Sequence, residues 1–324
     1  MKRKKPIKAV VMLSGGLDSL LAARLLLEQG IQVHALTLKD PFSNAHIRAA
    51  ISAKQLKIPF TIIPKGMDYL SMVEHPKHGY GRALNPCVDC RIYTLKKASK
   101  FMKKIGASFI VTGEVLGQRP MSQMLNKILL IEREAGLKGL ILRPLSAKLL
   151  PPSLPEKEGW VKRSKLLDIS GRMRNTQIKL AKKWKLSYAS PGGGCLLTEE
   201  GFCKKLADLF SHPPYTLNDL PLLKLGRHFR LGKSKLISGR NEEENAHLEK
   251  LAEKGDAVIL PEFPGPSIII RNPTKSALEF ACALAVYYGK AGRLPKVKLK
   301  KGEKESLITV KRKLKQEEVE RRRI

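Results

Sequence analysis

Ser14-Gly15-Gly16-Leu17-Asp18-Ser19 has the residue types and spacing of an anion site. The string follows an apolar strand-like run, Ile7 to Leu13, and opens a helical run, Ser19 to Gln29. At such a junction the free N–H groups of a helix N-terminus and the positive end of its dipole point at one spot. Two glycines let a phosphate approach the backbone with no Cβ in the way. The hydroxyls of Ser14 and Ser19 can donate to phosphate oxygens, and Asp18 can hold a magnesium ion among them. The pattern is not G-x-x-x-x-G-K-[ST], because it has no lysine and the spacing differs.

Cysteine is the second chemical signal. There are five: Cys87, Cys90, Cys195, Cys203 and Cys282. An odd, sparse set in a chain of 324 residues argues against a disulfide framework. Cys87-Val88-Asp89-Cys90 is a C-x-x-C just before a helical run, with no second pair to complete a zinc site. Cys195 closes the glycine-rich Pro191-Gly192-Gly193-Gly194-Cys195. Two thiolates from one turn and a third from a distant loop could hold three irons of a cubane, leaving a fourth iron open to sulfide. Alternatively Cys195 carries a persulfide, and a C-x-x-C partner releases its sulfur by forming a disulfide. The plain alternative is three buried apolar thiols. Cys203 and Cys282 lie in apolar helical sequence and read as packing residues.

These residues need a frame. Strand-like runs at 7–13, 31–38, 59–63, 108–112 and 140–142 alternate with helical runs at 19–29, 45–56 and 91–105. That alternation predicts an α/β fold with a doubly wound parallel sheet, whose ligands sit at the carboxyl ends of the strands. A basic helical stretch is expected over 162–185. Short strands at 222–231, 235–239, 257–260 and 267–271, with helices at 245–253 and 276–288, predict a smaller C-terminal α+β domain. The expected domains are 1–205 and 206–324.

The chain has 61 Lys and Arg against 29 Asp and Glu, a formal charge of +32. Such an excess points to a polyanion, most simply nucleic acid. The segment from Lys290 alone holds 14 cations and 5 acids, and reads either as an RNA-contacting arm or as a solvated, flexible end. The basic N-terminal residues and the short apolar run after them do not make a signal sequence, and no run reaches the length of a membrane span. No membrane partner and a cytoplasmic location are therefore expected.

The SGG-x-DS string resembles the pyrophosphate loop (PP-loop) of the N-type ATP pyrophosphatases, which split ATP into AMP and pyrophosphate to adenylate a carbonyl oxygen. Thr112-Gly113-Glu114-Val115-Leu116-Gly117-Gln118, followed by Ser122-Gln123 and by Arg143-Pro144-Leu145, is similar to the tRNA 4-thiouridine synthetase family over roughly residues 7–150. The C-x-x-C with a later cysteine resembles the iron–sulfur-dependent tRNA thiolation enzymes. Gly239 to Asn245, Pro264 to Ser267 and the basic 297–313 resemble the NFACT RNA-binding domain.

The resemblance implies an adenine nucleotide alpha hydrolase-like fold. ATP would be held by Ser14 to Ser19, Thr37, Thr112, Gly113, Gly117 and Gln118, with Mg2+ at Asp18. Arg119, Ser122 and Arg143 are implied for the substrate, and Asp18, Cys87, Cys90 and Cys195 for catalysis, the three cysteines holding a [4Fe-4S] cluster. The implied activity is ATP-dependent thiolation of a tRNA uridine, with 4-thiouridine favoured and 2-thiouridine the alternative. Its partners are tRNA and a sulfur donor, either free sulfide or a persulfide carrier; a homodimer would let one subunit present tRNA to the other. The 324 residues contain no THUMP-type domain before the loop and no rhodanese-like domain after it, so target recognition is expected from the last third. Two other readings stay open: a small-molecule ATP pyrophosphatase, and an RNA-binding nucleotide sensor.

Overall fold

The alternating apolar runs of the first part fold into β1 (Lys8–Met12), α1 (Leu17–Leu27), β2 (Gln32–Lys39), α2 (Ala45–Leu56) and β3 (Phe60–Pro64). Then follow α3 (Met67–Glu74), α4 (Cys87–Lys104), β4 (Phe109–Thr112), α5 (Leu125–Glu134) and β5 (Ile141–Leu142). The structure is a computed structural model that describes residues 6–189 and 194–324. The five strands form one sheet in the order β3-β2-β1-β4-β5, every pair parallel. The order reverses between β1 and β4, which is where such sheets open a ligand crevice.

Both faces of this sheet are covered, so its strands are apolar throughout rather than alternating. Ala9, Val11, Phe109 and Val111 pack with α1 on one face. Val10 and Ile110 point the other way, onto Val88, Ile92, Leu95 and Phe101 of α4 and Ile131 of α5. After β5 come α6 (Leu154–Lys157) and α7 (Asn175–Lys183). The helix expected over 162–185 is thus only α7, preceded by a 3-10 turn at Arg163–Lys165. The helices α3 and α5 fall in stretches without a helical expectation.

The second unit runs from Glu200, so α8 (Glu200–Phe210) lies within it and the division falls six residues before the expected 205/206. The local reason is visible at Lys205, whose ammonium donates to the carbonyls of Leu223 and Gly226. The remaining elements are β6 (Arg227–Leu231), β7 (Ser234–Ser238), α9 (Glu242–Lys250), β8 (Ala257–Pro261) and β9 (Ile268–Arg271). They are followed by α10 (Lys275–Tyr288), β10 (Lys296–Lys301), β11 (Lys304–Thr309) and α11 (Gln316–Arg322).

The six strands make an antiparallel sheet, β11-β10-β8-β9-β7-β6. Period-two alternation sends Leu236, Ile259, Ile268 and Ile270 onto α10, and Ile237, Val258 and Ile269 onto Leu248 of α9. The strand expected from 222 begins only at Arg227. Leu222–Lys224 is a 3-10 turn, and Gly226 sits at φ +60 with its N–H bonded to Glu244. The basic C-terminal segment is not a loose end: β10 and β11 are in register from Lys296–Thr309 to Lys301–Lys304, and the Ile324 N–H donates to the His228 carbonyl.

Candidate nucleotide and cysteine site

At the β1/β4 switch point the chain leaves β1 through Ser14 to Gly16 and enters α1. Gly15 needs its glycine: φ is +73, and a Cβ there would lie 2.3 Å from Arg48 Cβ. Gly16 is the N-cap of α1, and Leu17 turns inward to the core. Ser14 Oγ and Ser19 Oγ lie 3.1 Å apart, and Ser19 Oγ donates to the Gly16 carbonyl at 3.0 Å. The Thr37 hydroxyl donates to the Leu13 carbonyl and so fixes the end of β1. Gly113, at the end of β4, lets that strand touch the helix start; a Cβ there would be 2.4 Å from Ser19 N.

The loop borders a cavity of about 280 Å³ that Thr37, Thr112, Gln118 and Arg119 also line. Asp18 Oδ2 accepts from Gln118 Nε2 and Arg174 Nη2, each at 3.2 Å, while Asp18 Oδ1 is buried and unpartnered. A buried, unsatisfied carboxylate oxygen beside a phosphate loop fits a hard divalent cation such as Mg2+. Arg91, Arg119 and Arg174 line the same cavity. Desolvation, and next the facing Arg91, lower the proton affinity of Arg119, as expected where cations converge.

Gly117 and Ser122 shape the loop rather than line the cavity. Gly117, at φ +74, donates its N–H to the Gln123 carbonyl at 2.8 Å, and Ser122 is buried. Arg143 is buried away from this cavity. Its Nε donates to Glu114 Oε2 at 2.8 Å and its Nη1 pairs with Glu132. Thr112 Oγ1 and the more distant Arg91 Nε also reach Glu114, at 3.0 and 3.6 Å. Burial alone would raise the Glu114 carboxyl; Arg143 and then Arg91 more than offset it and hold it below the ordinary carboxylate range.

The cysteines lie beside the nucleotide cavity. Cys87 and Cys90 occupy the first turn of α4. That turn is clamped by Asp89, which accepts from His78 N and faces His78 Nδ1, both at 2.9 Å. Lys65, buried at the end of β3, lines the cavity and makes an ion pair with Asp40 at 2.5 Å. Its ammonium also reaches Cys90 Sγ at 3.5 Å, and Tyr69 OH lies 3.4 Å from the same sulfur. Desolvation would lower Lys65, but Cys90 and Asp40 outweigh it and raise the ammonium above its usual range. Cys195 sits near enough for Asp40 and Cys90 to act on it electrostatically, and burial pushes its thiol up to about 12. Burial, then Cys90, also raises Cys87, whose thiol donates to Asn85 Oδ1 at 3.0 Å.

None of the five cysteines forms a disulfide among the described residues. Cys203 and Cys282 are buried in the second unit, and burial pushes Cys282 up to about 11. Of the Pro191–Cys195 string, Pro191, Gly192 and Gly193 lie outside the described residues. Among the described residues no three His, Cys, Asp or Glu side chains converge as a metal site. Cys90 acts electrostatically on both Cys87 and Cys195, so the three cysteines expected together share one neighbourhood beside the cavity.

Asp40, Lys65, Tyr69, Arg91 and Arg174 are site residues that sequence reasoning missed. Asp40 and Lys65 follow directly on β2 and β3, and the carboxyl-end rule for parallel strands would have pointed to both. Arg174 carried no such signal.

The strand order, the phosphate loop at its switch point and the cavity there define a PP-loop nucleotide domain. Residues 6–148 match the family model for the thiamine biosynthesis protein ThiI, and residues 226–322 match the NFACT protein RNA binding domain. The first part of the chain is thus similar to ThiI and the last part to the NFACT RNA-binding domain. It is 34% identical over 124 residues to the tRNA-specific 2-thiouridylase MnmA of Syntrophotalea carbinolica, covering 34% of this chain and 35% of that one. It is 35% identical over 121 residues to a probable tRNA sulfurtransferase of Methanosarcina mazei, covering 34% and 29%. The match thus spans about a third of the length of these curated relatives. Among solved structures, a 4-thiouridine synthetase–RNA complex with bound ATP aligns at a TM-score of 0.38 with 21% identity, over 67% of this chain and 52% of that one. Among the described residues no helix is long and apolar enough to cross a membrane.

Proposed function

We propose that the chain thiolates a uridine of tRNA at the expense of ATP, with C4 the favoured position. One observation carries the reading: Lys65 lines the nucleotide cavity and touches the sulfur of Cys90, so activation and sulfur transfer can share one site. Matches to both a 2-thiouridylase and a probable tRNA sulfurtransferase agree with thiolation, and the likeness of Thr112 to Gln118 to the 4-thiouridine synthetase family is the reason for favouring C4.

In this reading the N–H groups of 14–19 and the Ser14 and Ser19 hydroxyls take the β- and γ-phosphates of ATP. Mg2+, held at Asp18, supplies charge neutralisation of the phosphates when bound. Arg91, Arg119 and Arg174 orient the α-phosphate and stabilise the charge that develops as the uridine carbonyl oxygen attacks it and pyrophosphate leaves. The adenylated carbon then takes sulfur and expels AMP.

For the sulfur step we favour the persulfide relay, because the Lys65 ammonium lies 3.5 Å from Cys90 Sγ and Cys90 is near enough to Cys195 to act on it electrostatically. Cys195 carries the persulfide, and its terminal sulfur attacks the activated carbon. The Cys90 thiolate then attacks the Cys195 sulfur, breaking the S–S bond. The thiocarbonyl forms, AMP departs, and the Cys90–Cys195 disulfide left behind needs a dithiol reductant. A [4Fe-4S] cluster remains the competing reading. Protein purified anaerobically with the broad iron–sulfur absorbance near 400 nm, lost in Cys87→Ala, would replace the relay by the cluster.

Nucleoside mass spectrometry of bulk tRNA from a deletion strain and complemented strains tests the function. Loss of 4-thiouridine, restored by the wild type and not by Cys195→Ala, is the expected result. Loss of a 2-thiouridine moves the atom. An unchanged profile, in a strain without a redundant enzyme, refutes tRNA thiolation.

A further inference from the structure

Residues 169–189 contain six cations, Arg172, Arg174, Lys179, Lys182, Lys183 and Lys185, and no acid. Arg174 is accounted for: it lines the nucleotide cavity and holds Asp18. The other five are exposed, and none makes an ion pair or side-chain hydrogen bond among the described residues. Lys179, Lys182 and Lys183 are spaced three and four residues apart, which puts them on one side of α7. The opposite side packs Ala181, Ile178 and Leu180 into the core, so the basic side faces outward.

The start of this face is tied to the loop after β4. Gly171 donates its N–H to the Leu116 carbonyl at 2.7 Å, and Ile169 donates to Leu145 at 2.8 Å. Leu116 and Ser170 form a parallel bridge. The two residues that follow are therefore carried by the same loop that presents Gln118 and Arg119 to the cavity. Of these two, Met173 is 74% exposed, an apolar side chain standing between two arginines. At ~1.5 Å per residue, the α7 lysines lie roughly 7–14 Å along the chain axis from Arg174. That distance corresponds to about two to four nucleotides of a stacked strand.

We infer that this face is the track along which RNA approaches the nucleotide site. Arg172 and the α7 lysines take the phosphates on one side of the target uridine, and Met173 stacks against the neighbouring base so that the uridine stays unstacked. A single-stranded or loop segment of RNA fits better than an acidic protein. The cations form a row that begins at the cavity, and the one apolar side chain stands where a base must be parted from its neighbour. The inference rests on the tRNA reading above and adds to it a contact surface made by the first unit itself.

The test uses the full chain, a fluorescently labelled tRNA transcript, and anisotropy across salt concentrations. The variant K179E/K182E/K183E should bind at least 10-fold more weakly at ~0.15 M salt, with the log–log salt slope smaller by about 2. ATP binding, read with a fluorescent ATP analogue, should be unchanged. The milder K179Q/K182Q/K183Q should move the same way, which separates lost contacts from a folding defect. M173A should keep tRNA affinity within about 3-fold and lower the yield of thionucleoside at least 10-fold. Wild-type affinity and slope in both triple variants would overturn the inference while leaving the thiolation reading intact. A wild-type chain with no affinity for tRNA would overturn both. Unchanged tRNA affinity, with product lost only when a protein donor supplies sulfur, would assign the face to that protein and overturn the RNA track.

Discussion

Glu114 lies in a motif whose resemblance suggests substrate chemistry, yet the structure makes it the buried hub of the first unit. Its carboxylate accepts from Arg143 Nε at 2.8 Å and Thr112 Oγ1 at 3.0 Å, with Arg91 Nε at 3.6 Å. Glu114→Gln keeps the shape and removes the charge, leaving the Arg143 guanidinium buried with Glu132 as its remaining anion. Arg143 Nη2 is already without a partner, so the site has no spare acceptor to offer. Breaking a buried pair by removing one partner costs about 3–5 kcal/mol. For a unit of this size, each kcal/mol moves the melting temperature by roughly 2–4 °C, so a drop of about 6–20 °C is expected.

The pH dependence of stability follows from the same group. A carboxyl held below its unfolded value contributes stability that is fully present above that value, ~4.3, and is lost as pH falls through the folded one. Wild-type stability should therefore fall below about pH 4.5 partly through Glu114, and Glu114→Gln should flatten that part of the curve. Thermal melts from pH 7 to pH 3, followed by circular dichroism, read both effects. A Glu114→Gln variant that melts within 2 °C of the wild type at pH 7 would refute the hub assignment. So would an acid limb as steep as that of the wild type.

Gly113→Ala should abolish ATP binding with little loss of secondary structure, because the added Cβ meets the backbone of Ser19 and Asp18 at 2.4–2.6 Å; calorimetric titration with ATP checks it. Asp18→Asn removes a carboxylate whose Oδ1 is buried and unpartnered beside the cavity, and pyrophosphate release should fall at least ~100-fold with the melting temperature nearly kept. Lys65→Met strands the Asp40 carboxylate and removes the cation beside Cys90. It should cost about 3 kcal/mol in urea unfolding and cut thionucleoside yield at least ~10-fold.

The frame of the first unit was legible because its strands are short apolar runs and its helices have clear periodicity. The Ala45–Leu56 helix matches its expected limits, and the five strands fall within a residue or two of theirs. α3 and α5 were missed because Met67–Glu74 and Leu125–Glu134 bury only part of one face; Leu125 and Leu129 stay exposed and blur the periodic signal. The C-terminal segment misled for a different reason. A run such as Lys296–Lys301 reads as a charged tail, but in an edge hairpin only Val297 needs to be buried and lysines can fill the rest, which also discourages edge-to-edge pairing.

The site divides along the same physical line. Residues that act through the backbone around them, such as Gly15, Gly16 and Asp18, are contiguous, so six letters announce them. Residues that act by convergence are not. Lys65 comes from the end of β3, Cys90 from the first turn of α4, Cys195 from a loop more than a hundred residues later, and Arg174 from the stretch before α7. Its place directly after β3 marks Lys65 as a candidate among the many lysines of so basic a chain, but its role follows from Asp40 and Cys90 standing beside it in a buried place. Arg143 shows the converse. The motif around it resembles a substrate-binding segment, while the two carboxylates that enclose it come from the loop after β4 and from α5. In a parallel sheet the strand ends are brought together by the strand order, so the chemistry of the site is written in the order 3-2-1-4-5 as much as in any motif.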